Sequence, residues 1–169
     1  MRIQQSIRAA VSFALGIFIT FSQSHSAEIG LITLGVYGLI LGIGLAATVL
    51  IQGKAAGLQE LPTATLATLV GVFALLAIST SDGQQAAFKA LVAAWGLIYG
   101  AFALYQARRW GFSDLLGRDF LISAIFALLL GALFLAVDLD IVSAVGFFGA
   151  YLALDGVHLG IAAATPKSK

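Results

Sequence analysis

Apolar residues run through this chain in long blocks separated by short polar links, with no sustained alternation of apolar and polar positions. A helix crossing the hydrocarbon core needs about 20 mainly apolar residues, with roughly 17 at the short end. Six segments meet or approach that length: Ile7–Phe21 extended to about Ser22, Ile29–Ile51, Pro62–Ser79, Ala86–Ala107, Asp119–Val137 and Ile141–Ala164. The first is the shortest. Lipid offers backbone amides no partners, and the blocks lack the period-two pattern of a barrel strand, so the pattern predicts helices. Pro62 falls in the first turn of the third helix, where no intrahelical donor is lost.

The links alternate in charge. One set carries Arg2, Arg8, Lys54, Arg108, Arg109, Arg118, Lys167 and Lys169. The other carries only Lys89, with Glu28, Asp82, Asp138 and Asp140. Eight of nine basic residues in one set predict that this set, with both chain ends, faces the cytoplasm. An even number of spans requires the same. Asp138 and Asp140 sit in the shortest turn, where acids favour turn formation without further purpose. His25, in SQSHSAE, has no cluster around it and reads as solvated. Met1–Ser26 also has the outline of a signal peptide, with a basic start, a modest apolar run and small residues at Ser24 and Ser26. Its place in a repeat opposes that reading.

Even-numbered spans share the pattern small residue, any residue, aromatic, four residues, glycine. It occurs at Gly35, Tyr37 and Gly42, at Ala93, Trp95 and Gly100, and at Gly149, Tyr151 and Gly156. Odd-numbered spans each carry a mid-helix glycine closely followed by phenylalanine: Gly16 and Phe18, Gly71 and Phe73, Gly131 and Phe134. The glycines recur at separations of 58 and 56 residues in even spans, and 55 and 60 in odd ones. The expected fold is therefore an all-α membrane protein of six helices in three tandem hairpin repeats, about 1–52, 53–109 and 110–169, in one transmembrane domain. Gly38 and Gly42, Gly96 and Gly100, and Gly156 and Gly160 each lie four apart on one face. Such faces let helix backbones approach closely in lipid. Tyr37, Trp95 and Tyr151 are expected to pack over neighbouring glycines.

Composition sharpens the class. Hydrophobic residues make up 60% and charged residues 10%, with a mean hydropathy of +1.02. Soluble domains carry about 25% charged residues, so this chain is expected in a membrane. With no cysteine, thiolate metal sites and cysteine nucleophiles are excluded. There is no basic stripe for nucleic acid. Metal-ligand clusters, phosphate loops and nucleophile elbows are missing from the sequence, so no enzyme activity, cofactor or metal is expected.

The chemistry that remains is sparse. Asp155 and His158 stand three residues apart inside the last span, in GAYLALDGVHLGIAAA. Their side chains occupy adjoining helix faces, and intramembrane ionisable groups turn inward and find partners. The pair reads either as a proton-responsive element titrating as a unit or as a polar contact that docks the third hairpin. The positions matching Asp155 in the other repeats are Leu41 and Tyr99. Arg108, Arg109, Trp110 and Arg118 lie in the link QARRWGFSDLLGRD and are candidates for lipid-headgroup contact.

The final hairpin, with its Gly-Ala-Tyr-x-x-x-Asp-Gly signature at Gly149, Ala150, Tyr151, Asp155 and Gly156, resembles the HdeD-like acid-resistance membrane proteins. The span count and repeat length also match that family. The resemblance implies a bacterial inner-membrane protein with a role in acid stress, and it supplies no catalytic residue. Links such as QGKAAGLQELP depart from the family's wording. Two other readings stand beside this one: an accessory subunit of a larger membrane complex, and a minimal proton or small-solute conduit. Membrane lipids are the expected partners, with a membrane-protein partner or a second copy also compatible.

Overall fold

A computed structural model, describing residues 2–52, 60–80 and 82–165, consists of six helices with no strand among the described residues. They are α1 (Arg2–Phe21), α2 (Ala27–Gln52), α3 (Leu61–Ile78), α4 (Gln84–Trp110), α5 (Leu115–Ala136) and α6 (Ile141–Ala164). Five of them, α2 to α6, are long and apolar enough to cross a membrane. The apolar part of α1, Gln5–Phe21, is shorter, because the helix opens on the polar sequence RIQQSIR. The architecture is that of a multi-pass membrane protein. Lys54, Lys167 and Lys169 of the basic set lie outside the described residues.

The links follow elementary turn chemistry. Pro62 sits in the first turn of α3, as its missing donor requires. Asp114 caps α5 by accepting from the Leu116 amide at 2.8 Å. Asp140 caps α6, accepting from the Ser143 amide at 3.0 Å and the Ser143 hydroxyl at 2.6 Å. Those two donors hold the Asp140 carboxyl below the usual carboxylate range. Asp138 pairs with Lys89 at 3.0 Å. Gly83 and Gly111 flank α4 at φ 89°, a backbone conformation that favours residues without a Cβ.

Glycine decides which helices touch most closely. A Cβ added to Gly71 on α3 would lie 2.8 Å from the Leu39 amide nitrogen of α2. At Gly131 on α5 it would lie 2.8 Å from that of Leu97 on α4, and at Gly16 on α1 2.5 Å from that of Ala153 on α6. One turn further along, Gly42 meets the Thr68 backbone, Gly100 that of Leu128, and Gly156 that of Phe13. Leu39, Leu97 and Ala153 occupy matching places in the three even-helix patterns, so one antiparallel contact is made three times in the same register. The closest pairs are therefore α2 with α3, α4 with α5, and α6 with α1. The two helices of each sequence hairpin, α1–α2, α3–α4 and α5–α6, touch less intimately, and α2, α4 and α6 also meet one another. The last helix closing on the first makes a ring. Both ends of the described chain lie at one end of the bundle, here called the terminal end.

The aromatic expectation needs correction. Tyr37, Trp95 and Tyr151 face one another where the even helices meet, not neighbouring glycines. Tyr37 stands edge-on to Trp95 at 5.5 Å and to Phe148 at 6.5 Å. Phe148 in turn stands edge-on to Phe88 at 5.8 Å.

Because these sites have no space for a methyl group, Gly131→Ala should lower folded stability by about 1–3 kcal/mol, the usual range for overpacking. Gly146→Ala, at a glycine with nothing within 4 Å, should be neutral or stabilising. Thermal unfolding in detergent, with the two variants side by side, checks the contrast.

Candidate functional site

The buried polar residues of the spans, Thr33 apart, gather in the terminal half of the bundle. Asp155 on α6 is 0% exposed. Its Oδ1 accepts from the Ser123 hydroxyl of α5 at 3.2 Å, and its Oδ2 lies at the limit of hydrogen bonding, 3.5 Å, from the Ser12 hydroxyl of α1. Hydroxyl bonds to an ionised carboxylate are normally about 2.5–2.7 Å, so the carboxyl is held loosely. Three helices meet at this one side chain.

Arg8 stands beside it. The charge alternation placed Arg8 with the basic links, yet the side chain is 5% exposed and lies inside the ring. Its guanidinium donates to the Tyr99 hydroxyl and sits over the Tyr99 ring, 5.0 Å from the centroid. Tyr99 stacks on Trp95 at 4.8 Å and 8°, and Trp95 Nε1 donates to the Tyr151 hydroxyl at 3.2 Å. A continuous polar and aromatic chain therefore runs Arg8, Tyr99, Trp95, Tyr151. Arg8 and Asp155 make no direct ion pair but are close enough to sense each other's charge. Arg8 Nε, the Tyr37 hydroxyl and Gln106 Oε1 are buried without a protein hydrogen-bond partner.

His158 does not join Asp155. Its Nε2 lies 3.1 Å from the Asp119 carbonyl oxygen of α5. A carbonyl can only accept, so Nε2 carries a proton in that contact. Its ring meets Phe126 edge-on at 6.3 Å. Three residues along a helix turn the side chain by about 300°, or 60° short of a full turn. Here that difference sends Asp155 to the centre and His158 toward α5. Arg108, Arg109 and Trp110 form the exposed last turn of α4, and Arg118 is exposed near the start of α5. That placement suits headgroup contact and keeps them out of the buried centre. Gly35, Gly42, Gly100, Gly149 and Gly156 are packing positions against α3, α5 and α1, and Ala93 is buried.

Arg8, Ser12, Tyr99 and Ser123 belong to the centre and were not singled out by the sequence. A signal for them exists on the odd helices. Arg8, Ser12 and Gly16 lie four apart along α1; Thr63, Ala67 and Gly71 repeat the spacing on α3, and Ser123, Ala127 and Gly131 on α5. In each helix the packed glycine marks the buried stripe, and the residue eight positions earlier is polar and buried.

Compared with models of known families, with curated proteins and with solved structures, the chain matches none.

The Trp95–Tyr151 hydrogen bond joins α4 to α6 across the centre. In a double-mutant cycle of Trp95→Phe and Tyr151→Phe, unfolding measurements should give a favourable coupling of about 0.5–1.5 kcal/mol. Strict additivity would remove the bond from the account.

Proposed function

We propose that this chain is a non-enzymatic, six-span protein of the bacterial inner membrane, HdeD-like in character, that contributes to acid tolerance through Asp155. The single observation carrying this reading is a fully buried carboxyl reached by hydroxyls from two other helices. A charged side chain at the centre of a membrane helix costs about 2.5–3.5 kcal/mol on insertion scales. Such a group therefore changes its interactions strongly when it gains or loses a proton. Protonation of Asp155 would weaken its attraction to Arg8 and alter the bonds to Ser12 and Ser123. One proton thus bears on α1, α4, α5 and α6 together.

In this reading the chain is three copies of one helix pair, with the basic links and both termini cytoplasmic. The recurring register of Gly16, Gly71 and Gly131 supports the threefold plan. The charge alternation supports the orientation. The plan carries a single acid at the position filled by Leu41 and Tyr99 elsewhere, so the proton-responsive element sits in one copy only. The aromatic layer of Tyr37, Trp95 and Phe148 closes the centre above Asp155 and weighs against a conduit.

The test is survival of cells in acid. A deletion strain complemented with Asp155→Asn should survive less well than one carrying the unchanged chain, at equal amounts of folded protein. Full survival with Asp155→Asn, where deletion itself causes loss, would take Asp155 out of the mechanism.

A further inference from the structure

Asp155 does not reach the terminal end of the bundle by itself, but a cavity does the reaching. About 20 Å³ of space lies between α1, α5, α6 and the start of α3, with Gln5, Arg8, Glu60, Asp119 and Ser123 in its walls beside three apolar side chains. One water molecule needs roughly 10–15 Å³ by this measure, so a water fits. The walls also call for one. Arg8 lines the cavity, is almost wholly buried, and its Nε has no protein acceptor. A buried donor of this kind is commonly satisfied by ordered water.

The cavity is connected to the acid on one side only. Ser123 lines it, and the Ser123 hydroxyl donates to Asp155 Oδ1 at 3.2 Å. In the other direction, one turn along α6, the Tyr151 hydroxyl is taken by Trp95. Beyond it Phe148 and Phe88 pack edge-on at 5.8 Å. Those two phenyl rings carry no exchangeable proton.

We propose that the cavity is a hydrated proton inlet opening only toward the terminal end, and that the Ser123 hydroxyl relays protons from it to Asp155. The step balances. A hydronium ion at the mouth gives a proton to the cavity water, that water passes one to Ser123 Oγ, and Ser123 gives its own hydroxyl proton to Asp155 Oδ1. One proton leaves the aqueous phase and one carboxylate becomes a carboxylic acid, with water and serine restored. The groups whose hydrogen bonds or charges bear on Asp155 are Arg8 and Ser12 from α1, Tyr37 from α2, Tyr99 from α4, Ser123 from α5 and Tyr151 on α6, while His158, turned toward α5, acts only through its charge. Glu60, at the start of α3, acts on Arg8. Asp119 supplies the second carboxyl of the cavity wall. The inference rests on Asp155 being proton-responsive and adds the side from which it is addressed.

The experiment is infrared difference spectroscopy of the full-length protein in sealed vesicles. The probe is the protonated-carboxyl stretch that disappears in Asp155→Asn. An impermeant thiol reagent on Ser113→Cys, exposed in the link between α4 and α5, counts the copies whose terminal end faces outward. After an external acid jump, the band should rise only in that fraction. Ser123→Ala should slow the rise by at least about tenfold, the low side of what a positioned proton-transfer group contributes. Ser123→Thr, which keeps a hydroxyl, should leave the rate near that of the unchanged chain. A band that follows the pH at the opposite end, or a Ser123→Ala rate equal to that of Ser123→Thr, overturns the inlet. If acid survival still depends on Asp155, the inlet alone has failed. A carboxyl that never titrates between about pH 4 and 8 removes both the inlet and the proton-responsive reading.

Discussion

Helices already in lipid gain nothing from hiding apolar side chains from one another, since the acyl chains around them are equally apolar. What holds a bundle together is dispersion and polar contact at short range, and short range requires that side chains be absent where backbones meet. In this chain that constraint is met at Gly16, Gly71 and Gly131, each set against the backbone of an even helix with no space for a methyl group. The same contact made between α2 and α3, α4 and α5, and α6 and α1 closes six helices into a ring. The third of these contacts joins the two ends of the sequence. It brings Ser12 to Asp155 across 143 residues and, with Tyr99, places Arg8 inside the ring.

The polar centre depends on that closure. Asp155 draws on α1 for one hydroxyl and on α5 for another, while Arg8 is carried in on α1 and anchored to Tyr99 on α4. Without α1 in place, the acid would lose a hydroxyl partner and the nearby cation together. The interior is layered along the axis: aromatic rings toward the end opposite the termini, then tyrosine and aspartate, then a small cavity walled by Gln5, Glu60 and Asp119. Asp155 thus lies between an aromatic layer and a small cavity of mixed polar and apolar lining.

Much of the framework was legible in the chain. Unbroken apolar runs bounded six helices, and the pairs Gly38 and Gly42, Gly96 and Gly100, and Gly156 and Gly160 marked the packing faces of the even helices, with close approaches at all but Gly160. Asp155 stood out because an acid in such a run demands a partner. Its partners were not legible, because spacing along one helix shows only neighbours on that helix. His158 looked like the partner by proximity in sequence, yet the helical turn carries it toward the Asp119 carbonyl. Ser12 and Ser123 lie on other helices and look like ordinary small polar residues until the ring closes. Arg8 was misread for a related reason. Near the start of a short span, a basic residue resembles an interfacial anchor, and only the stripe through Ser12 and Gly16 shows which way it faces.

Closure of α1 on α6 is the claim on which the site stands, and the absence of cysteine from the natural chain makes it directly measurable. A Cβ at Gly160 would lie 3.9 Å from that of Ala9, close to the mean separation of about 3.8 Å in disulfides. In membranes treated with a lipid-permeable oxidant, Ala9→Cys with Gly160→Cys in one chain should form an intramolecular disulfide in nearly every molecule, read by mass spectrometry of the linked peptides. Free thiols at both positions after oxidation, or bonds formed only between separate chains, would contradict the closed ring and the polar centre it assembles.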